Sequence, residues 1–476
     1  MKTHLEALKE FRQVLYRSFP YRRDSILDLL DALSSNDRAR SPVELSLNRC
    51  FRRQHGALYR AIQNAYGESE LPVCSMEAKQ QGEAVLATIP VPQHRQYQVF
   101  GIDETPNERL YAACLADRQT VHRSTPVSGQ VPISIGHNYS ILAAMPEVGA
   151  DEWSRWAVPV SVERVSSVSN AIAVAHGQVE QLMGWASAQR FAFKVLTADS
   201  RYATAAMLYG LREYQDLVII TRLRSNRVLY RQPETGGDKT RPRWYGERFC
   251  LRDEMSWPSP SAQTTLCLIH AHAATPSLRI RRWSDLMMRG TQRYPMHRYP
   301  FDIVEIQRLD ETNQPYGQPL WLLVGGTQRQ SLSLDDVLHA YRQRFNLEHF
   351  LGFAKPHLLL TASQTCDIAH EIHWVRLTCL AYVQLWLARR LVDVLPLPWQ
   401  RYLPQARSRL LTPRQVQRGF ATLIAQIGSP AAPPKPRGIS PGRTQGTRLT
   451  PRAPCPMVKF HPPAKRCRCK DAQNVA

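Results

Sequence analysis

Two short β-prone runs that each give out on an aspartate restrict the folds open to this chain more than any other feature. The first, residues 97–102 in QYQVFGIDETP, stops at Asp103 ahead of Pro106 and reads as a strand entering a turn. The second, residues 191–196 in FAFKVLTADSRYAT, leads to Asp199 and then to a helical pattern at Ala203, Ala206, Leu208 and Leu211. Strand, turn and helix in that order suit an α/β fold, and open α/β sheets bind their ligands in the crevice beyond the carboxyl ends of the strands. An aspartate that merely caps a turn or helix is the plain alternative at either position.

Other runs extend this pattern. Residues 110–114 follow closely enough to form a hairpin with the first strand, and residues 156–165 offer another β-branched stretch. Residues 170–185 have helical spacing, and LVIITRL at 217–223 reads as a buried strand. Between 224 and 330 come strand-like runs at 226–230, 265–269, 301–306 and 320–324, separated by Pro, Gly and charged turns, which suggests a β-rich insertion. Trp257 and Trp283 in this segment are either stacking platforms for an unstacked base or buried sheet tryptophans.

A third acid lies far downstream, in YRQRFNLEHFLGFAK. Tyr341, Arg344, Glu348 and Lys355 are spaced Y-x2-R-x3-E-x6-K, and at 100° per residue they fall within about 60° of one another on a helix. One face then carries a carboxylate that can bind a hard metal, two cations that can meet phosphates, and a phenol that can hydrogen-bond or stack. A solvated ion pair of Arg344 with Glu348 at i,i+4 is the bland reading.

Asp103, Asp199 and Glu348 together with this spacing resemble the DDE transposases of bacterial insertion sequences, in the branch marked by the Tyr-Arg-Glu-Lys signature. D-x-x-Y at Asp199 to Tyr202 is similar to the second motif of that branch, and the likeness covers roughly residues 97–355. Glu104 directly follows Asp103, so which of the two faces a metal is open. The resemblance implies Asp103, Asp199 and Glu348 as catalytic metal ligands and an insertion that helps hold the transposon end. It also implies two magnesium ions, with manganese as a substitute. Tyr341, Arg344, Lys355, Trp257 and Tyr202 are the candidate DNA contacts. DNA is the expected partner, as terminal inverted repeats and as target, bound by a homodimer because two ends must be joined. A transposase-derived DNA-binding protein without cleavage, or another RNase H-like nuclease, is the alternative.

The chemistry accounts for the number of acids. Carboxylates within about 4 Å of each other repel by roughly 4 kcal/mol per pair at an effective dielectric near 20, so without cations the cluster should be strained and partly protonated. Two divalent ions about 3.5 to 4 Å apart relieve this and serve an in-line displacement at phosphorus.

The expected architecture is α/β. It has an RNase H-like catalytic core (95–223 and 331–400), the β-rich insertion at 224–330, a helical N-terminal domain at 1–94 and a linker with a short amphipathic helix at 401–428. A disordered basic tail at 429–476 completes it. In the first domain Asp24 and Ser41 are candidate helix caps, with Pro42 at the first helical position. That domain either binds DNA ends or packs on the core, since no helix-turn-helix signature is clear. Residues 413–427 place Val416, Phe420, Leu423, Ile424 and Ile427 on one stripe, which can dock on the core or on a second subunit. Residues 381–395 read as a helix that closes the core.

Charge is concentrated at the end of the chain. Residues 401–476 hold fifteen Lys and Arg against one acid, Asp471, and so supply most of the net +21. Such a Pro- and Gly-rich polycation should collect phosphates by counterion release, without reading sequence. With no apolar signal region and no run near the ~18 residues that span a bilayer, a cytoplasmic, nucleoid-associated protein without membrane contact is expected. G-x-x-x-x-G-K-[ST] is absent, which argues against an ATP partner. The ten cysteines have no paired C-x2-C framework, Cys467 and Cys469 make no tetrahedral site on their own, and His370-Glu371-Ile372-His373 misses the H-E-x-x-H spacing by one residue.

Overall fold

The computed structural model describes residues 3–67, 75–123, 131–147, 156–233, 244–267, 277–392, 411–436, 442, 444–448 and 450–458. Five helices come first: α1 (His4–Ser18), α2 (Arg23–Ser34), α3 (Pro42–Leu45), α4 (His55–Gln63) and α5 (Met76–Ala87). Then follow β1 (Tyr97–Glu108), β2 (Gln119–His122), β3 (Ile133–Met145), β4 (Val158–Val165), α6 (Ala171–Gly184), β5 (Phe193–Ala198), α7 (Ala205–Gly210) and β6 (Leu217–Leu223). Six short to medium strands come next: β7 (Val228–Tyr230), β8 (Arg248–Cys250), β9 (Ala262–Cys267), β10 (Ser277–Leu286), β11 (Phe301–Leu309) and β12 (Pro315–Gly325). The chain returns to helix in α8 (Leu334–Gln343), α9 (Phe345–His357), α10 (Ile368–Ala388) and α11 (Pro413–Ile427).

A ten-stranded mixed sheet organises the molecule, in the order β2-β3-β1-β5-β6-β12-β11-β10-β9, with β4 also paired to β3. At its centre β1, β5 and β6 are parallel, while β3 and β12 flank them antiparallel. β5 is buried throughout and β6 everywhere but at Arg222, which is why both read as largely apolar stretches rather than as an alternating pattern.

α10 is buried around its whole circumference from Glu371 to Ala388, packed against β4 on one side and α1, α2, α4 and α11 on others. The helical residues 3–67 are thus assembled around a helix from the far end of the chain. The apolar stripe of α11, with Val416, Phe420, Leu423 and Ile424 buried, docks on this same chain.

Several sequence expectations need correction. β1 does not stop at Asp103 but runs through Pro106 to Glu108, paired with β3 throughout. β5 leaves β1 after Gly101, so the remainder of β1 has one unpaired edge, where a proline is tolerated. Residues 110–114 form no strand. The loop instead wraps the buried Arg118, whose guanidinium donates to the carbonyls of Arg109, Leu110 and Leu115, and the true neighbour of β1 is the unforeseen β3. Asp24 does not cap α2, which starts after Arg22 in the left-handed region (φ 53°). Asp24 accepts bonds from the Tyr16 hydroxyl and the Ala432 amide instead.

The segment 224–330 is not separate from the core sheet. β12 pairs with β6, so the insertion extends the central sheet outward through β11, β10 and β9. Its buried acids are matched by arginines: Asp302 by Arg329 (3.0 Å) and Glu305 by Arg281 (2.6 Å). The reading of 429–476 as unstructured fails for its start. Ser429, Ala431 and Ala432 offer oxygens to Arg12, Arg52 and Arg53, partners that need no helix or strand. Further on, the amides of Cys455 and Val458 bond to the carbonyls of Ala113 and Arg118. Expectations for residues 269, 393–410 and 459–476, including Cys467 and Cys469, fall outside the described residues.

Candidate active site

β1 and β5 lie in parallel register with Gly101 opposite Thr197. Asp103 and Asp199 each stand two residues beyond that pair, Asp199 just past the end of β5 and Asp103 on the part of β1 that continues beyond β5. The Thr197 hydroxyl donates to the Phe100 carbonyl (3.0 Å) and ties the end of β5 to β1.

Gly101 sets the distance to the helices. A β-carbon there would lie 2.8 Å from Leu347 Cδ1 and 2.5 Å from Met145 Cε, so its absence lets the α9 face formed by Leu347, Phe350, Phe353 and Ala354 settle on β1. Two residues along the same strand face, Asp103 comes under the start of α9.

The helix carrying the Y-x2-R-x3-E-x6-K spacing is broken in two at Arg344. The turn tightens there through i→i−3 bonds from the Arg344 amide to Tyr341 and from the Leu347 amide to Arg344, so a uniform 100° wheel does not apply. Arg344 lies at the break, 9% exposed. Its Nη1 donates to Asp103 Oδ2 (3.2 Å) and its Nη2 to Glu348 Oε1 (2.9 Å). Asp103 Oδ1 accepts the Glu104 amide (2.9 Å). Glu348 itself is about half exposed.

Electrostatics bind the cluster together. Burial pushes the Asp103 carboxyl up to about 6, and the charges of Asp199 and Glu348 push the same way against the pull of Arg344 and the Glu104 amide. Burial lowers the Lys355 pKa, while the charges of Glu108 and Asp103 oppose that shift. Glu104 is also raised, chiefly by burial, but it pairs with Arg201 rather than Arg344. Of the two adjacent acids, Asp103 is the one that shares a cation with Glu348.

Three candidate DNA contacts are placed differently from expectation. Tyr202 is 1% exposed, and its buried hydroxyl has no hydrogen-bond partner. Burial and the charges of Glu104, Asp103 and Asp199 raise its pKa far above the usual range. It underlies the acids and cannot touch DNA where it stands. Tyr341 is also buried, hydrogen-bonded to Arg344 and supporting it. In the insertion Trp283 is buried, and Trp257 is half-buried among Phe249, Trp283 and Trp321 with its indole N–H donated to the Cys250 carbonyl (2.7 Å). Both belong to an aromatic core. The exposed tryptophan there is Trp244, its ring tilted by 44° against that of His297 with centroids 4.2 Å apart. No sequence signal separated it from the others, because exposure depends on what packs above a side chain.

Among the described residues, no three His, Cys, Asp or Glu side chains converge so as to hold a metal ion. The convergence of Asp103, Asp199 and Glu348 on a common point is therefore not met in this arrangement, and the Arg344 guanidinium stands between two of them. The donor set nevertheless fits a hard divalent cation. It is all carboxylate, it crowds negative charge onto Asp103, and a cation already bridges two of its members.

The fold and site thus define an α/β protein with an acidic, arginine-bridged cluster where the central strand β1 runs on past the carboxyl end of its parallel neighbour β5. The chain belongs to the DDE superfamily endonuclease family, whose model matches residues 14–289. That match contains Asp103 and Asp199 and ends before Glu348. No curated protein matches the chain. Among solved structures it is similar to a piggyBac transposase synaptic complex with hairpin DNA, at 10% identity and a TM-score of 0.39, over 89% of this chain and 79% of that one. A second similarity is to the C-terminal lobe of a budding yeast Argonaute, at 9% identity and a TM-score of 0.21, over 79% and 62%. Likenesses of that size carry no weight for mechanism. No helix among the described residues is long and apolar enough to cross a membrane.

Proposed function

We propose that this DDE superfamily endonuclease is a transposase of the insertion-sequence type, cutting DNA at transposon ends and joining them to target DNA. The carrying observation is the bridge that Arg344 makes from Asp103 on β1 to Glu348 on α9, which draws the first and third acids of the motif into one charge cluster beside Asp199. The core is RNase H-like in this reading, supported by the antiparallel run β4-β3-β1 passing into the parallel run β1-β5-β6.

Asp103, Asp199 and Glu348 would hold two divalent ions, magnesium or else manganese. When bound, these supply an activated water or 3′-hydroxyl and a stabilised leaving oxygen. The protein's own part is positional. Gly101 and Leu347 set α9 against β1, Tyr341 backs Arg344, and Arg344 and Lys355 present positive charge to backbone phosphates. Two copies of the chain would bring two ends together. The residues beyond 436 would add general, salt-sensitive affinity for DNA.

Nicking of a plasmid carrying the element's terminal repeats, with and without magnesium, tests this. Wild type should cut, whereas Asp199→Ala and Glu348→Gln should bind DNA within a few-fold of wild type and not cut. Binding without cutting in all three would indicate a transposase-derived DNA-binding protein, and a Glu348→Gln variant that still cuts would refute that residue's assignment.

A further inference from the structure

Arg344 is arranged in a way that phosphate contact alone does not explain. Its guanidinium faces inward, with one nitrogen on Asp103 Oδ2 (3.2 Å) and the other on Glu348 Oε1 (2.9 Å). The remaining oxygen of Asp103 is engaged by the Glu104 amide. Both oxygens of Asp103 are thus occupied, one of them by a group that carries charge.

Besides the two carboxylates, the Tyr341 side chain is hydrogen-bonded to the guanidinium. Its Nε is buried without a hydrogen-bond partner. Its flanks are the rings of Tyr341 and Phe345, with centroids 5.8 and 5.3 Å from Cζ, and Phe345 is itself 48% exposed. Arg344 also sits where α8 gives way to α9, so the side chain leaves from a break rather than from a packed helix face. A long side chain held by two carboxylates, one of them half exposed, and by one phenol can be drawn off by a stronger anion.

We propose that Arg344 is a displaceable internal counter-cation that couples DNA binding to metal binding. In the DNA-free chain it spans Asp103 and Glu348 and competes with divalent cations for the same oxygens. A backbone phosphate then draws the guanidinium outward and leaves the acids free to ligate. Linkage makes the effect reciprocal, so DNA raises the affinity for the metal and the metal raises the affinity for DNA. Ions would be gathered chiefly once an end is in place, which restrains cutting elsewhere. Arg344 is a positioning residue in this scheme, and the scheme rests on Asp103, Asp199 and Glu348 being the ion ligands.

Manganese binding to the full chain, read from the spin-resonance signal of the free ion, tests the proposal without any measurement of activity. In the absence of DNA, Arg344→Ala should bind manganese about tenfold more tightly than wild type. Addition of a duplex should tighten binding in wild type and leave Arg344→Ala unchanged. Arg344→Lys separates bridging from charge alone, because lysine keeps the charge but lacks the fork that spans two carboxylates. It should also bind manganese more tightly than wild type. Should Arg344→Ala not fold, judged by its melting curve, Arg344→Lys and Arg344→Gln carry the same comparison. Equal manganese affinity in wild type and Arg344→Lys, or a DNA effect that persists without the arginine, would overturn the proposal. Asp103→Asn should abolish the binding; if it does not, the ligand assignment itself falls and the coupling with it.

Discussion

Asp103 keeps its proton more readily than an ordinary aspartate because burial and two neighbouring carboxylates disfavour its charge. The folded chain therefore binds this proton more tightly than the unfolded chain, and stability falls as pH rises from about 4 to about 6, then levels off. Asp103→Asn mimics the protonated form, so in chelator it should stabilise the fold at pH 8 by up to about 3 kcal/mol relative to wild type and make no difference below pH 4. Urea unfolding at both pH values reads this, and equal effects at the two would mean that Asp103 is not the strained group. His370-Glu371-Ile372-His373 finds its explanation at this level too. Glu371 is fully buried and accepts bonds from Tyr139 (2.7 Å) and Asn107 (2.8 Å), with His137 Nδ1 at 3.1 Å and Arg109 Nη1 at 3.8 Å. Burial favours its neutral form, yet these partners, led by His137, hold its pKa below the usual value. Glu371→Ala should destabilise the protein by about 3 kcal/mol, because it strands a buried arginine and other polar partners. Thermal unfolding would check that, and a loss below about 1 kcal/mol would contradict it.

β1 and α9 form the pair of elements on which the site depends. Their approach is set by Gly101, so Gly101→Val should force Leu347 and Met145 aside and cost about 1–3 kcal/mol. Leu347→Ala in the same chain should recover part of that cost, because the two changes share one space. Additive losses in a double-mutant cycle would show that the contact is not limiting. The strands around this pair were unevenly legible. β6 matches its run residue for residue because a central strand with a parallel neighbour carries an unbroken buried apolar stretch, here Leu217 to Ile220. β3 was invisible, since ISIGHNYSILAAM mixes buried His137, Tyr139 and Ser140 with apolar residues, and those polar groups are buried only because Glu371 and Gln178 reach them from helices. β10 was missed for a similar reason: its arginines Arg281 and Arg282 pack inward against buried acids of β11.

The whole molecule closes its first and last segments on each other. α10 threads the N-terminal helices, α11 lies on α2, and residues 429–432 complete hydrogen bonds to Arg12, Arg52 and Arg53. Truncation after Ile427 should thus lower stability by about 2 kcal/mol, from several lost hydrogen bonds of about 1 kcal/mol or less each, whereas truncation after Pro436 should keep them. Both should weaken general DNA affinity through lost charge. Calorimetry separates the two, and equal melting midpoints would show that residues 429–432 contribute nothing.

The α/β alternation, Asp199 just past a strand end and the spacing around Glu348 could all be read from the chain, because period and spacing are local and each residue type has few ways to satisfy them. The placement of Arg344 between Asp103 and Glu348, the passage of β1 beyond Pro106 and the fusion of the insertion with the central sheet could not. Each depends on groups far apart in the chain meeting in space, and which buried charge finds which partner is settled by the packing of the complete fold rather than by any short run of residues.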